Sequence, residues 1–196
     1  MNRIYGEKMS QSGSGKRLLI QEEFIRMLED HAKIAAIIKQ VGVVAGRKKL
    51  QKMVYILQRM GFPFREMFHF NFYGPYSDEL SLQLEELCNF GFLIESRDER
   101  STERCYRYRL SEAGESFISH YSGIIPEKDG LVDALSRETA SFLELVSTLL
   151  YFDQIPASTS DDKVRALDTP YSQQDISRAR HYITVLERQA QTLQFS

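Results

Sequence analysis

The stretch FHFNFYGPYSDELSLQLEELCNFGFLIESRDERSTERCYRYRLSEAG, residues 68–114, predicts a strand, a helix and a β-hairpin in succession. In Phe68–Phe72, phenylalanines alternate with polar residues, which is the period of a half-buried strand. The pair Gly74-Pro75 is expected to break that strand, and Ser77 is a suitable N-cap for the helix that follows. Residues 68–77 therefore predict a strand that passes through a tight corner into a helix.

The residues after this corner predict an amphipathic helix packed on a hairpin. The helix carries one apolar stripe: Leu80, Leu84, Leu87 and Cys88. Gly91 can end the helix in the left-handed conformation. The segments Phe92–Ser96 and Arg104–Leu110 then pair, since tyrosines alternate with arginines in the second. A helix packed on a hairpin, with helices before it, is the winged-helix layout, so we predict a mostly helical α+β fold with a winged-helix-like core.

Three segments follow from the composition along the chain. Residues 1–20 are rich in serine and glycine and predict a flexible tail. Residues 21–125 predict the winged-helix-like core, which begins with a helix from Glu22 to about Gln40. Residues 126–196 predict a C-terminal helical extension, in which a long apolar helix spans Leu131–Phe152.

The last predicted helix has a narrow apolar seam with alternating spacings of three and four residues. The seam comprises Ile176, Ala179, Ile183, Leu186, Ala190 and Leu193. Two interpretations fit this spacing. The seam packs on Leu131–Phe152 in a helical hairpin, or it forms the contact of a homodimer.

The overall composition is that of an ordinary globular protein, with 42% hydrophobic and 27% charged residues. The formal net charge of −2 gives no overall attraction to nucleic acid or to an anionic membrane, so any such attraction needs a local patch. Two cysteines predict no disulfide framework. No apolar run approaches the ~20 residues of a membrane helix, and the first twenty residues lack a signal peptide. We expect a cytoplasmic protein without membrane contact.

The sequence contains no recognisable catalytic arrangement, and we predict that the protein is not an enzyme. The histidines fall in four different predicted elements: His31, His69, His120 and His181. None has cysteine or histidine partners at the spacing of a zinc site. Gly15-Lys16 lacks the flanking residues of a phosphate-binding loop. We therefore expect no metal and no cofactor.

A basic helix, Arg47–Met60, carries the strongest local charge in the chain. At about 100° per residue, one side of it contains Lys48, Lys52, Tyr55 and Arg59. These residues could hold phosphates and stack a base, contact an acidic protein, or pair with carboxylates of a neighbouring helix. A merely solvated cationic face is the fourth interpretation.

The helix before the hairpin is poorly suited to reading DNA, although that is its usual role in winged helices. It carries four carboxylates: Asp78, Glu79, Glu85 and Glu86. Carboxylates brought close to phosphates are repelled. The wing contains Arg97, Arg100 and Arg104, but acidic residues are interleaved with them.

Two motifs carry a family resemblance. GRKKLQKMVYILQ at Gly46–Gln58 and FYGPYS at Phe72–Ser77 resemble the YwgA-type family of uncharacterised bacterial proteins, over roughly residues 28–121. The pattern KLQK…Y…YGP is more distantly similar to the Panacea domain, whose members include antitoxins that act by protein contact. The resemblance implies a winged-helix-like core and a bacterial cytoplasmic setting.

The Tyr73–Tyr76 turn is either a structural corner or an aromatic anchor for a partner, a role in which tyrosine is favoured. We predict a regulatory module that binds another protein through Lys48, Lys52, Tyr55 and Arg59 together with Tyr73 and Tyr76. The alternative is a DNA-binding transcriptional regulator that dimerises through its last helix.

Overall fold

The computed structural model describes residues 5–97, 106–126, 130–154 and 171–193. Seven helices and five strands lie within these ranges. In chain order they are α1 (Tyr5–Val41), β1 (Val44–Ala45), α2 (Arg47–Arg59), β2 (His69–Asn71), β3 (Gly74–Tyr76), α3 (Asp78–Asn89), β4 (Leu93–Arg97), β5 (Tyr106–Leu110), α4 (Glu112–Ser119), α5 (Gly130–Arg137), α6 (Ala140–Phe152) and α7 (Gln173–Leu193). The predicted α+β, mostly helical class is confirmed.

One small sheet contains β4 and β5, the predicted hairpin, with β1 added beside β5. The strand order is β1-β5-β4 and both pairings are antiparallel, with Val44 opposite Tyr108 and Leu93 opposite Leu110. The chain order is α1, β1, α2, α3, β4 and β5, as in the predicted winged-helix layout, except that β2 and β3 lie between α2 and α3. A relationship to winged-helix proteins stays a prediction.

The corner after the phenylalanine strand forms a second hairpin, which corrects the predicted break at Gly74-Pro75. Strand β2 pairs with β3, and Asn71 lies opposite Gly74. Gly74 has φ +79°, a conformation open to glycine, and the Asn71 Oδ1 accepts a hydrogen bond from the Tyr73 N–H at 2.9 Å. Proline is tolerated here because β3 pairs on one side only.

Helix α3 begins and ends as its sequence predicts. The Ser77 hydroxyl accepts a hydrogen bond from the Leu80 N–H at 3.2 Å, as an N-cap does. Gly91 follows the helix with φ +73°. The short turn that results leads directly into β4.

The first helix is longer than predicted. Helix α1 begins at Tyr5, so the expectation of a flexible tail over residues 1–20 is wrong from residue 5 onward. No proline occurs before Pro63, and serine or glycine within a helix costs only up to ~1 kcal/mol each. No helix among the described residues has the length and apolarity that crossing a membrane requires.

The C-terminal helices share one hydrophobic core with the rest of the chain. The predicted helix Leu131–Phe152 is two helices, because Thr139 caps α6 by accepting a hydrogen bond from the Phe142 N–H at 3.1 Å. Residues 142–150 are all buried, since α2, β3 and α7 pack around α6. The boundary predicted at residue 126 therefore does not separate two cores.

The apolar seam of α7 packs inside the chain. Its buried members are Ile176, Ala179, Ile183, Leu186 and Ala190; the side chain of Leu193 is not among those described. Arg178 and Arg180 add ion pairs to Glu138 and Asp153 at the two ends of α6. Of the two interpretations of this seam, the structure has the packing within the chain, so these side chains are not available as a dimer contact.

Candidate functional site

Helix α2 is buried on both sides, which corrects the predicted exposed face. Every residue of α2 from Leu50 to Leu57 is buried, with Lys52 only 1% and Tyr55 only 3% exposed. The prediction assumed that one side of the helix faces solvent. In the fold, α6 and the β2–β3 hairpin cover that side. Lys48 and Arg59, at the two ends, stay exposed.

Lys52 holds the β2–β3 hairpin against α2. Its Nζ donates a hydrogen bond to the Pro75 carbonyl oxygen at 2.6 Å. The pKa of Lys52 is lowered to about 8, mainly by burial. The charge of Glu144 partly offsets this decrease, and the charge of Lys48 adds to it. The ammonium is therefore a structural tether whose charge is only weakly stabilised.

The adjacent residue, Gln51, holds the start of α3 in the same way. Its Oε1 accepts a hydrogen bond from the Ser77 N–H at 2.9 Å, and its Nε2 donates to the Ser77 carbonyl oxygen at 2.8 Å. The same Nε2 also donates to the Ser81 hydroxyl, which bonds to the Tyr76 hydroxyl at 2.8 Å. The two motifs of the family resemblance are thus in direct contact.

Gly74 is required by this contact as well as by its own backbone. A Cβ on Gly74 would lie 2.8 Å from Thr148 Oγ1 and 3.6 Å from Lys52 Nζ. The hairpin therefore approaches α6 so closely that a side chain at position 74 would force Thr148 to shift. Of the two interpretations of the YGPY turn, the structural corner accounts for Gly74 and Pro75.

The cations that open α2 pair with other elements of the same chain. Lys48 forms a salt bridge with Glu144 on α6, and Arg47 forms one with Glu85 on α3 at 2.7 Å. Burial alone would lower the pKa of Arg47, but hydrogen bonds to Tyr108 and Glu85 raise it above its usual value. Lys49 donates to a backbone carbonyl at the end of α5. Of the alternatives predicted for the basic face, the geometry supports pairing with a carboxylate of a neighbouring helix for Lys48.

Tyr55 is a core aromatic residue. Its ring meets Phe68 edge-on, with 5.0 Å between centroids, and its hydroxyl accepts a hydrogen bond from Gln154 Nε2 at 2.8 Å. Burial raises the pKa of Tyr55 to about 12. Tyr55 and Arg59 are thus not brought together with Lys48 on one open face.

A pocket of about 260 Å³ opens between α2, the β2–β3 hairpin and α3. Its lining comprises Arg47, Lys48, Gln51, Lys52, Asn71, Tyr73, Tyr76 and Ser81. At its rim, Phe72 is 82% and Tyr73 is 56% exposed, with their rings edge-to-face at 5.1 Å. Lys48 Nζ lies 4.7 Å from the centroid of the Tyr73 ring. We call the pocket and these two rings the hairpin-tip surface.

The predicted wing residue Arg97 lies outside the lining of this pocket, whereas His69 borders it through an edge-on ring contact with Tyr76 at 5.8 Å between centroids. Arg97 is exposed at the end of β4, whereas Arg100 and Arg104 fall outside the described residues. His69 is exposed, with its Nδ1 3.9 Å from Asp78 Oδ2. Within the described ranges, no three histidine, cysteine or acidic side chains are grouped as a metal site would need.

The comparison with known proteins agrees with the motifs in this surface. The chain is 43% identical over 164 residues to the uncharacterized protein YwgA of Bacillus subtilis (strain 168), which covers 83% of this chain and 99% of that protein. The chain belongs to the YwgA family. No protein-family model matches the chain. The more distant similarity to the Panacea domain stays a prediction.

The motifs predicted part of the hairpin-tip surface in this YwgA-family chain. Lys48, Lys52, Tyr73 and Tyr76 were predicted as site residues and do line one pocket. Four lining residues were not singled out: Arg47, Gln51, Asn71 and Ser81. Arg47 and Gln51 lie within the GRKKLQK motif and could have been found there. Asn71 and Ser81 enter the lining through the unpredicted β2–β3 hairpin and the position of α3.

Proposed function

We propose that this YwgA-family chain is a non-catalytic regulatory module that acts by binding another protein through the hairpin-tip surface. The observation that carries the proposal is the pair of exposed aromatic rings, Phe72 and Tyr73, beside a pocket. Exposed aromatic residues next to a concave site are typical of the residues that dominate protein–protein affinity.

The rigid support of these rings favours a recognition role. The β2–β3 hairpin is tethered by Lys52 at Pro75 and by Gln51 at Ser77. Side chains held on such a frame lose little conformational entropy on binding, so more of the contact energy appears as affinity.

The proposed contact residues differ in part from those expected on the sequence alone. Lys48, Tyr73 and Tyr76 remain in the contact surface because they line the pocket. Lys52 contributes from the floor of the pocket, and Tyr55 acts only as core support. Arg59 has no part in this proposal.

The test is affinity capture with the full chain in a lysate of the cell it comes from. We expect a protein that the native chain retains and that the Phe72→Ala and Tyr73→Ala variants lose. Phe90→Ala is the matched control, since Phe90 is also an exposed aromatic residue but lies at the end of α3. A partner retained equally by all variants, or no retained partner, would contradict the proposal.

DNA binding is the second candidate function, because the order of helices and strands suits a winged helix. Its weakness is charge, because Asp78, Glu79 and Glu85 lie exposed on α3, the helix that reads DNA in a winged helix. Titration with mixed-sequence duplex DNA at low and moderate salt separates the two candidates. Sub-micromolar affinity that falls steeply with salt would favour the DNA-binding regulator.

The similarity to the Panacea domain, some of whose members are antitoxins, is in line with a protein partner. An antitoxin role would make that partner a toxin. Identification of the captured protein by mass spectrometry would decide whether the module acts in this way.

A further inference from the structure

The pocket of the hairpin-tip surface is lined by charges of one sign. It contains three cations, Arg47, Lys48 and Lys52, and none of its lining residues among those described is acidic. The carboxylates Glu85 and Glu144, which bind two of these cations, lie outside the lining. Lys52 is bonded to a carbonyl oxygen instead, so it is the cation through which this concave site attracts an anion.

Hydrogen-bond donors outnumber free acceptors in this lining. A lysine ammonium carries three N–H donors and no acceptor, and Lys52 uses one of them for Pro75. The Asn71 Oδ1 already accepts from the backbone N–H of Tyr73, which leaves its amide nitrogen as a donor. A ligand that offers several acceptors and a negative charge complements these groups.

The arrangement fits a carboxylate better than a phosphate. The cations alone do not separate these two anions, since an arginine fork binds either one and a lysine binds either one as a point charge. Here the Arg47 guanidinium is already engaged, because its Nε donates to the Tyr108 hydroxyl and its Nη1 to Glu85. The rings of Tyr73 and Tyr76 can pack on the apolar stem that carries a carboxylate.

We propose that this pocket binds a carboxylate presented by the protein partner, either an aspartate or glutamate side chain or a C-terminal carboxylate. The inference rests on the proposed function, since it specifies the chemistry of the partner segment beside Phe72 and Tyr73. Lys48 and Lys52 supply the positive charge, and the rings of Tyr73 and Tyr76 contact the apolar part of the ligand that carries the carboxylate.

Binding is linked to a proton at the pocket floor. The pKa of Lys52 is lowered to about 8 by burial, and a bound anion raises it again. The groups that face Lys52 are Glu144 of α6, Lys48 of α2 and the Pro75 carbonyl of β3. Affinity for a carboxylate therefore falls as the pH rises above 8, where free Lys52 is neutral.

The test is an NMR titration of the isotope-labelled full chain with small probes at constant ionic strength. N-acetylglutamate α-amide carries only a side-chain carboxylate, and N-acetylglycine carries only a terminal one. N-acetylglutamine α-amide is the uncharged control, and inorganic phosphate tests the competing anion. We expect saturable shifts of the pocket amides with the carboxylates only, and the tighter of the two identifies the source.

The decisive variant is Lys52→Met, which keeps the side-chain volume and removes the charge. It should weaken carboxylate binding by about tenfold or more, as expected for loss of a charge-assisted hydrogen bond. Arg59→Met is the matched control, because it removes a cation from the same helix outside the pocket. If the amide spectrum shows that Lys52→Met is not folded, Lys48→Met is used in its place to remove a cation from the pocket.

Several results would overturn the inference. They are the absence of saturation, equal shifts with the glutamine control, tighter binding of phosphate, unchanged affinity in folded Lys52→Met, or unchanged affinity above pH 8. The titration contains no partner protein, so its outcome is independent of affinity capture. Partner binding that depends on Phe72 but not on Lys52 would contradict the inferred carboxylate site, whereas the proposed function would remain.

Discussion

Among single residues, Lys52 combines almost complete burial with a charge that has only partial compensation. Its native pKa of about 8 lies below its usual value of 10.5. Between these two values the unfolded chain binds more protons than the native chain, so raising the pH stabilises the native state. Lys52 thus makes the protein more stable in mildly alkaline solution than at neutral pH.

The first prediction concerns this pH dependence. From pH 7 to about 9.5, the free energy of unfolding of the native chain should rise by about 2 kcal/mol relative to Lys52→Met. Denaturant unfolding of both proteins at several pH values measures the difference. The pH range of this test ends at about 9.5 because tyrosines ionise near pH 10 in the unfolded chain. Burial raises the pKa of Tyr55 to about 12 in the native chain, so tyrosine ionisation would add its own pH dependence above that range. Parallel curves for the two proteins would refute the assignment.

A second buried charge, Glu66, provides a prediction of opposite sign. Glu66 is buried, its Oε1 has no hydrogen-bond partner among the described residues, and burial raises its pKa. Glu66→Gln should stabilise the protein at neutral pH by about 1 kcal/mol, because no charge is then desolvated. The gain should shrink as the pH falls and native Glu66 takes up its proton. Thermal unfolding at pH 7 and 5 measures this gain.

The control for this variant is Glu187→Gln on the exposed side of α7. It removes the same charge without a change in burial, so its effect should be close to zero at both pH values. Equal effects of the two substitutions would mean that burial of Glu66 is not the cause.

At the scale of elements, the β2–β3 hairpin is the feature that joins the two family motifs. The third prediction is that Gly74→Ala costs at least ~2 kcal/mol of stability, because it adds a contact with Thr148 to the strain of positive φ. Gly123→Ala is the matched control, with φ +74° and open space around its Cβ. It should cost about 1 kcal/mol, the strain alone. Denaturant unfolding of both variants tests the comparison. Equal losses of stability would mean that the close packing around Gly74 adds nothing to the cost of the substitution.

The elements that sequence predicts well are those whose signals are local. Ser77 and Gly91 mark the ends of α3 because capping depends on a few neighbouring residues. The burial of Lys52 and Tyr55 could not be predicted in this way. It depends on α6, a helix about 90 residues further along the chain, and on a hairpin whose β3 strand contains a proline that argues against pairing.

The same limit applies to the candidate site. The motif residues around Lys48 and Tyr73 were found because they carry charge in a basic helix or an aromatic ring in a turn. Their mutual position depends on packing between distant segments, which periodicity does not report. The seam of α7 illustrates this point, since its spacing fits a partner helix in the same chain or in another one equally well.

For the whole molecule, the continuous core predicts how α7 responds to a buried charge. Leu186 is fully buried in the chain's own core. Leu186→Asp should therefore unfold the protein, with a cost above ~4 kcal/mol. Circular dichroism and gel filtration distinguish this outcome from a dimer contact, for which the variant would be a folded, soluble monomer. Gln189→Asp on the exposed side of α7 is the control and should leave the native fold intact.

The ion pairs and the hydrogen bond made by the first turn of α2 have a practical consequence for protein engineering. Arg47, Lys48 and Lys49 form a run that surface-entropy reduction would select for replacement by alanine to aid crystallisation. Each of these side chains instead tethers α2 to a different element, so truncating the run would loosen α3, α6 and α5 together. The exposed pair Glu22-Glu23 on α1 is the better choice for such surface mutagenesis.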